Sequence, residues 1–348
     1  MKNYGVRECV RRIRFHINGD GYRLWWKTHR LTEDEAERQR QRVFERTPLI
    51  SIPVPLYNTP LQYLRELIDS VQSQTYGSWE LCLADGSTDD QAEQFIRQRY
   101  AGNARIKYRR LSRNSGIAGN TNEAVSMAEG EYIGLLDHDD LLAPNALFEV
   151  VKVINEHTGA DVIYTDEDKI SDDITDHFGP AFKPDFNLDL LRSCNYICHF
   201  FVVKKDIADE IHGFRSEFDG SQDYDFILRC VERAECVYHI PMILYHWRCH
   251  PNSVAGNPEN KLYAYEAGRR AIEEHLRRTG EPDAQVERLP FWGHYRVNYP
   301  VRNRDRVSIL IVNTGSAADL RRCVDSILSK TTYPDYHIYI AGSGCTDR

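Results

Sequence analysis

The chain has 348 residues, of which 41% are hydrophobic and 28% are charged, and its formal net charge is -8. This ordinary globular composition excludes a disordered protein, and the acidic balance argues against a general nucleic-acid binder, which needs a basic surface. The nine cysteines are scattered and lack CxxC pairs, so the sequence predicts neither a disulfide framework nor a structural zinc site. A reducing cytosol fits this cysteine usage best.

The first 46 residues are predicted to form a separate helical arm. Up to Arg30, Lys and Arg greatly outnumber Asp and Glu, and Tyr22, Trp25 and Trp26 lie among them. Two interpretations stay open: the arm rests on an anionic membrane surface, or it packs on the next domain. Thr32 is a suitable N-cap for a short charged helix that follows.

Membrane-spanning and secretion signals are missing from the sequence. No apolar stretch approaches the roughly 20 residues that cross a bilayer, and the N-terminus lacks the apolar core of a secretion signal. We therefore expect a cytoplasmic location, with peripheral contact at the inner face of the membrane as one role for the arm.

A strand–helix–strand pattern begins at Leu49. Its β-branched first strand is followed by Thr59–Gln62, which has the pattern of a capping box with Pro60 at the first helical position. Apolar residues then repeat at helical spacing, and a second strand over residues 79–84 stops at Asp85. Short links between these elements predict a βαβ unit and a parallel sheet.

The next segments continue this alternation up to a run of acids. The sequence predicts a helix over 91–100, a strand over 106–110, a loop over 114–119 and a helix over 120–129. A buried strand from Tyr132 then delivers Asp137, His138, Asp139 and Asp140 at its carboxyl end. Carboxylates this close repel one another and resist desolvation, so they suit an open surface or a cation.

The position of these acids indicates their chemistry. In an open α/β sheet, ligands bind in the crevice at the carboxyl ends of the strands. Asp137 and Asp139 are therefore predicted to form a divalent-metal site that faces a phosphate-bearing substrate.

The second half of the chain is less regular. It is predicted to contain helices over 145–157, 188–194, 224–234 and 260–279, and strands over 161–164, 198–203 and 237–245. An acidic turn at 165–169 follows the first of these strands, and the last strand exits into His246, Arg248 and His250.

The C-terminal stretch resembles the beginning of the chain. Residues 307–311 repeat the pattern of the strand at 50–52, about 257 residues earlier, but the copy stops after one βαβ unit and has Gly342 where the first copy has Asp85. The predicted domains are therefore the arm (1–46), a main domain (47–300) and an incomplete second copy (301–348).

Four ordered motifs resemble those of family 2 glycosyltransferases over residues 47 to about 280. They are ISIPVPLYN, the SQTY-x-x-WEL-x-x-ADGSTD block, AEGEYIGLLDHDD, and GSQDYDFILR followed by YHWRCHPNS. Bacterial O-antigen and polysaccharide transferases with two tandem domains also share TDEDK, KPDF and NYI-x-H. The resemblance implies an α/β fold of the GT-A type, with a mixed, mainly parallel central sheet.

The resemblance also implies roles for individual residues. Pro55 and Tyr57 would border the nucleotide, and Asp85 would accept a hydrogen bond from the base. Asp139 would be the principal ligand of Mg²⁺ or Mn²⁺, supported by Asp137, and Asp223 would be the catalytic base. Two positions depart from the family pattern: Ala84 stands where many relatives have an acid, and Gln222 where they often have Glu.

Each of these roles has a structural alternative. Asp85 would also suit a turn or a helix cap, and Asp223 a helix N-cap, a role that Ser221 also fits. His246, Arg248 and His250 would hold the diphosphate or complete the metal shell, or else be satisfied structural residues.

The acids Asp166 and Asp168 carry the same ambiguity. Together with Glu167, they would either bind acceptor hydroxyls or form ion pairs with Lys169 and Lys183. The sequence does not decide between these two roles.

The predicted function is therefore an inverting, metal-dependent glycosyltransferase. Its donor would be a UDP- or dTDP-sugar, and its acceptor a glycan or lipid-linked glycan of the cell surface. The alternatives are a non-catalytic sugar-binding scaffold and a sugar-phosphate nucleotidyltransferase. The scaffold is disfavoured because the acids are present, and the nucleotidyltransferase because the Gly-rich basic loop typical of that class is missing after the first strand.

Overall fold

The computed structural model describes residues 20–249 and 262–342. The helices of the first compact unit, which ends at Asn298, are α1 (Asp20–His29), α2 (Glu33–Arg40), α3 (Leu61–Gln72), α4 (Gln91–Tyr100), α5 (Gly116–Val125), α6 (Ala146–Glu156), α7 (Leu188–Leu191), α8 (Lys205–Glu210), α9 (Gln222–Val231) and α10 (Leu262–Arg278). Its strands are β1 (Ile50–Leu56), β2 (Trp79–Asp85), β3 (Ile106–Arg110), β4 (Tyr132–Gly134), β5 (Leu141–Leu142), β6 (Val162–Ser171), β7 (His177–Ala181), β8 (Phe201–Lys204), β9 (Val237–Cys249), β10 (Gln285–Arg288) and β11 (Tyr295–Asn298).

One mixed sheet organises this unit. Its strand order is β3-β2-β1-β4-β8-β6-β9-β5, with β7 paired to β6. Strands β1 to β4 pair in parallel, as the βαβ pattern predicts, whereas β8 runs antiparallel between β4 and β6. Two apolar clusters, one around Ile52 and Val150 and the other around Phe201 and Phe226, form the core. The predicted α/β class is confirmed.

Two prolines lie in β1 at the end of the strand that is near the acidic turn. In β1, Pro53 and Pro55 pair with β2, but β4 pairs only with Ile50 and Ser51. Proline has no backbone N–H to donate. Prolines are therefore tolerated at this end of β1, where one side of the strand has no paired neighbour. β1 and β4 are therefore unpaired beyond Ser51, towards their carboxyl ends.

The predicted capping box at the start of α3 is wrong. Helix α3 begins at Leu61 with Pro60 as its N-cap residue, and no side chain caps it. The Thr59 hydroxyl is buried without a hydrogen-bond partner. By contrast, Thr32 and Glu35 form the reciprocal bonds of a capping box at α2, which confirms Thr32 as the cap.

Several predicted boundaries also need correction. Helix α5 begins at Gly116 and ends at Val125, so the predicted loop before it is mostly helical. The predicted acidic turn at 165–169 is strand: β6 continues to Ser171 because β9 and β7 pair with it through the acids. Strand β9 likewise continues to Cys249.

Residues from Tyr299 form a second compact unit. Strand β12 (Val307–Asn313), helix α11 (Ala317–Lys330) and strand β13 (Tyr336–Gly342) form a βαβ arrangement with a parallel pair, the order that β1, α3 and β2 have in the first unit. Ser316 caps α11 through its side chain. Whether this unit is a second copy of the domain stays a prediction.

Candidate active site

Asp140 holds the acidic turn between β4 and β5 in place. This carboxylate is fully buried and accepts hydrogen bonds from the Tyr245 hydroxyl (2.5 Å) and from the backbone N–H of Arg248 (2.8 Å). Burial and the neighbouring charges of Asp139 and Asp137 raise the pKa of Asp140 well above its ordinary value. Asp140 thus fixes the turn to β9.

Asp137 lies on the acidic turn, at the carboxyl ends of the parallel strands where an α/β sheet has its ligand crevice. Its side chain is exposed to solvent, although protein atoms surround it closely enough that desolvation raises the pKa of the carboxylate. The charge of His199 opposes this rise and the charge of Asp139 adds to it. Asp139 is half-buried in the same turn, and its backbone carbonyl accepts a hydrogen bond from Arg248 (2.6 Å).

His199 lies two residues before β8 and close to these acids. Its ring stacks on Tyr245, with centroids 4.4 Å apart and an interplanar angle of 7°. Its backbone N–H donates to Glu167 (3.3 Å). One ligand atom each from Asp137, Asp140 and His199 lies within 4.8 Å of the others. Two carboxylates and an imidazole at this separation are a possible ligand set for a divalent cation.

Asp223 approaches the same place from helix α9. It lies in the first turn, where its carboxylate accepts a hydrogen bond from the Asn195 side-chain amide (2.8 Å). Burial raises the pKa of Asp223, the charge of His199 lowers it, and the charge of Asp137 raises it. Through Asn195, which lies four residues before His199, Asp223 contacts the segment that carries His199.

Asp223 does not cap α9. The N-cap residue is Ser221, and its side chain makes no cap hydrogen bond. The Ser221 hydroxyl instead donates to the carbonyl of Ala264 (2.7 Å). Backbone N–H groups of Asp223 and Tyr224 oppose the rise in the pKa of the Asp223 carboxyl, so this carboxylate also interacts with its own helix turn.

The predicted nucleotide residues lie where β1 and β2 end. Pro55 pairs with Ala84 and Leu56 with Asp85, which brings Tyr57 to the same edge. Tyr57 is exposed, whereas Asp85 is fully buried. The Asp85 carboxylate accepts hydrogen bonds from the backbone of Ser87 (2.8 Å), from the Tyr108 hydroxyl (2.6 Å) and from Arg110 (3.0 Å).

Three of the predicted acceptor or diphosphate residues lie away from the crevice. The Asp166 carboxylate accepts bonds from the Lys183 backbone and from His239 (both 2.8 Å). Asp168 pairs with His246 beneath α1. Histidines are thus the ion-pair partners of Asp166 and Asp168, and of the three acids it is Glu167 that pairs with Lys183.

Arg248 also has a structural role. Its fully buried guanidinium donates to Glu66, to the carbonyl of Asp139 and to the carbonyl of Asp172. His250 lies outside the described residues.

Several residues of the crevice had no predicted role. Asn195, His199 and Tyr245 are within or next to it, and only the NYI-x-H segment marked Asn195 and His199 in the sequence. Its signal was weak because a single His before a buried strand is common. Contacts between distant segments reveal its position.

The fold and the crevice define a GT-A-type domain with an acidic turn at its strand ends. The structure of S. aureus TarS residues 1–349 in complex with UDP-GlcNAc matches this chain with a TM-score of 0.54 and 22% identity, covering 65% of this chain and 66% of that one. At this identity the likeness concerns the fold.

Sequence comparison gives the family. Residues 51–212 match the model described as Glycosyl transferase family 2. This stretch of the chain is therefore a family 2 glycosyltransferase domain, as the motifs predicted.

Two curated relatives extend over most of the chain. An uncharacterized protein of Sinorhizobium fredii, y4gI, is 43% identical over 303 residues, covering 86% of this chain and 33% of the relative. The O-antigen biosynthesis protein RfbC of Myxococcus xanthus is 34% identical over 327 residues, covering 93% and 25%. The chain thus spans a third or less of the length of these relatives.

Proposed function

We propose that the chain is an inverting, metal-dependent glycosyltransferase that moves a sugar from a nucleotide diphosphate to a hydroxyl of a growing cell-surface glycan. The observation that carries this proposal is that Asp137 and His199 lie together in a family 2 domain, and that Asn195, four residues before His199, donates a hydrogen bond to Asp223. This arrangement would supply a cation site and a proton acceptor close together.

The cation would be held at the acidic turn. Asp137 and His199 offer ligand atoms within 4.8 Å of each other, and Asp139 lies on the same turn. Asp140 completes this cluster, but its two oxygens already accept hydrogen bonds, so we assign it to positioning the turn. Bound Mg²⁺ or Mn²⁺ would neutralise the charge that develops on the diphosphate leaving group.

Asp223 would accept the proton of the attacking hydroxyl. Asn195 fixes the orientation of its carboxylate, and its raised pKa brings it closer to the working pH than that of an ordinary Asp. A base on the side of the acceptor allows direct displacement at the anomeric carbon. That reaction inverts the configuration.

The donor would bind along the ends of β1 and β2. Tyr57 is exposed there, and the buried Asp85 uses three of the roughly four acceptor positions of its carboxylate within the protein. The remaining position would accept the imide N–H of uracil or thymine. The UDP-GlcNAc in the matching structure of TarS supports a UDP-sugar donor.

The acceptor would belong to the cell surface. The name of the RfbC relative, an O-antigen biosynthesis protein, supports a polysaccharide acceptor. Among residues 20–249 and 262–342, no helix is long and apolar enough to cross a membrane. A lipid-linked acceptor would therefore require contact at the membrane surface, for which the basic arm is the candidate.

A thermal-shift screen tests the proposal. Nucleotide diphosphates and sugar nucleotides are added with and without Mn²⁺, and a ligand at a hundred times its dissociation constant stabilises the fold by about 2.7 kcal/mol. We expect stabilisation by UDP or dTDP compounds only with the metal, and release of the nucleotide when a glycan acceptor is added. No stabilisation by any nucleotide in the presence of metal would contradict the proposal.

A further inference from the structure

Strands β6 and β9 present two different sets of side chains. In their parallel pairing, Glu167 lies opposite Tyr245, and Asp168 lies opposite His246. Because successive side chains of a strand point to opposite faces, the first pair and the second pair face different sides of the sheet. Glu167 and Tyr245 contact His199, so the face with Asp168 and His246 is separate from the crevice.

Four side chains meet around Asp168 on this second face. One carboxylate oxygen lies 2.6 Å from Nδ1 of His246, and the other lies 2.8 Å from Nδ1 of His177, which belongs to β7. The Tyr22 hydroxyl of α1 donates to the second oxygen at 2.7 Å. Trp26 of α1 covers the cluster, stacked on His177 at 4.4 Å and edge-on to His246 at 5.0 Å.

The charge of this cluster is not balanced by a permanent cation. Asp168 is fully buried, and within the described ranges no Lys or Arg forms an ion pair with it. Buried carboxylates are usually paired with a cation or a metal ion.

We propose that Asp168, His177 and His246 form a second metal site, for a divalent transition metal of the zinc class. Their ligand atoms lie within 4.8 Å of one another. Two imidazoles with one carboxylate suit Zn²⁺, and Co²⁺ in its place, better than Mg²⁺, which prefers oxygen ligands. Each imidazole would carry its proton on Nε2 and present the Nδ1 lone pair to the ion.

The site would connect the arm to the sheet. Its three ligands come from β6, β7 and β9, and Tyr22 and Trp26 of α1 close over them. A bound ion would therefore stabilise the contact of the arm with the domain. This inference does not depend on the proposed transfer activity, because it needs neither nucleotide nor acceptor.

Equilibrium dialysis of the full chain against Zn²⁺, without nucleotide, tests the site, with the bound metal measured by mass spectrometry. We expect one equivalent in the wild-type chain, and a dissociation constant at least about tenfold higher in His177→Gln and in His246→Gln. His294→Gln, at an exposed position, is the control and should bind like the wild type.

Co²⁺ supplies a second measurement on folded protein. It should give the visible absorption of a site with nitrogen ligands and quench the fluorescence of Trp26, and Trp26→Phe should keep the absorption while losing that quenching. Equal Zn²⁺ affinity in the wild type and in both ligand variants, with unchanged circular dichroism, would overturn the proposal, as would the lack of tight binding in the wild type. Either result leaves the Mn²⁺-dependent nucleotide test of the proposed function unaffected.

Discussion

Replacing Arg248 by Met tests whether this residue holds the acidic turn or the substrate. The guanidinium is fully buried, lies 4.5 Å from the centre of the Tyr63 ring, and donates to Glu66 at 2.6 Å and to the Asp139 carbonyl at 2.6 Å. Met has a similar length but no donors. The substitution therefore leaves a carboxylate and two part-buried carbonyl oxygens without this donor.

The expected cost is large. Removing one partner of a buried ion pair costs about 3–5 kcal/mol, and the partial exposure of Glu66 (19%) favours the lower end of that range. Arg40→Met is the matched control, because its ion pairs with Glu33 and Glu37 are exposed and should contribute little to stability. Thermal unfolding of both variants, without ligand, measures the difference.

The assay separates the two interpretations of Arg248. If it holds the turn, Arg248→Met should unfold at a clearly lower temperature than both the wild type and Arg40→Met. If both variants unfold like the wild type and Arg248→Met only weakens nucleotide binding, then the guanidinium contacts the diphosphate and the structural argument is refuted.

Four further predictions concern the site and the sheet. Asp223→Asn should keep Mn²⁺-dependent stabilisation by nucleotide in a thermal-shift assay but lose about 10²–10⁴-fold in turnover, and retained turnover would remove Asp223 as the base. The raised pKa of Asp223 means that its ionised form destabilises the folded state, so Asp223→Asn in EDTA should unfold at a higher temperature than the wild type at pH 8. That advantage should shrink as the pH falls through the raised pKa and disappear below the ordinary value of 3.8, and a pH-independent difference would contradict it. Asp139→Ala should abolish metal-dependent nucleotide stabilisation without changing the unfolding temperature of the free protein. Gly130→Ala should destabilise by about 1–3 kcal/mol, since the added carbon would meet the Leu49 carbonyl and lie 2.6 Å from the Ser51 hydroxyl, while Gly102→Ala, with open space, should be nearly neutral.

Local patterns predicted the first half of the domain well. The order of β1, α3 and β2 followed from apolar periodicity and short links, and the acids after β4 followed from their place at a strand end. The boundary of α5 was wrong because Asn114 and Ser115 resemble a loop, although Gly116 already begins the helix. The ends of a helix depend on a few hydrogen bonds, so the sequence pattern alone predicts them poorly.

The second half shows where pattern fails. The acids of Thr165–Lys169 have a low propensity for strand, and the sequence therefore predicted a turn. Pairing with β7 and β9, and partners such as His239 and Lys183, override that propensity and make the segment a strand. Propensity is local, whereas the partners lie elsewhere in the chain.

By itself, the sequence determined the class of fold, the family and the acids at the end of β4, because these depend on periodicity and on short motifs. Only the tertiary structure decided which polar residues share a site. Strand pairing placed Tyr245 and His246 on opposite faces of the sheet, and it brought Arg248 to Glu66 across 182 residues of chain. Side-chain alternation follows from the backbone, but the face that becomes the crevice depends on which helices and loops cover the other one.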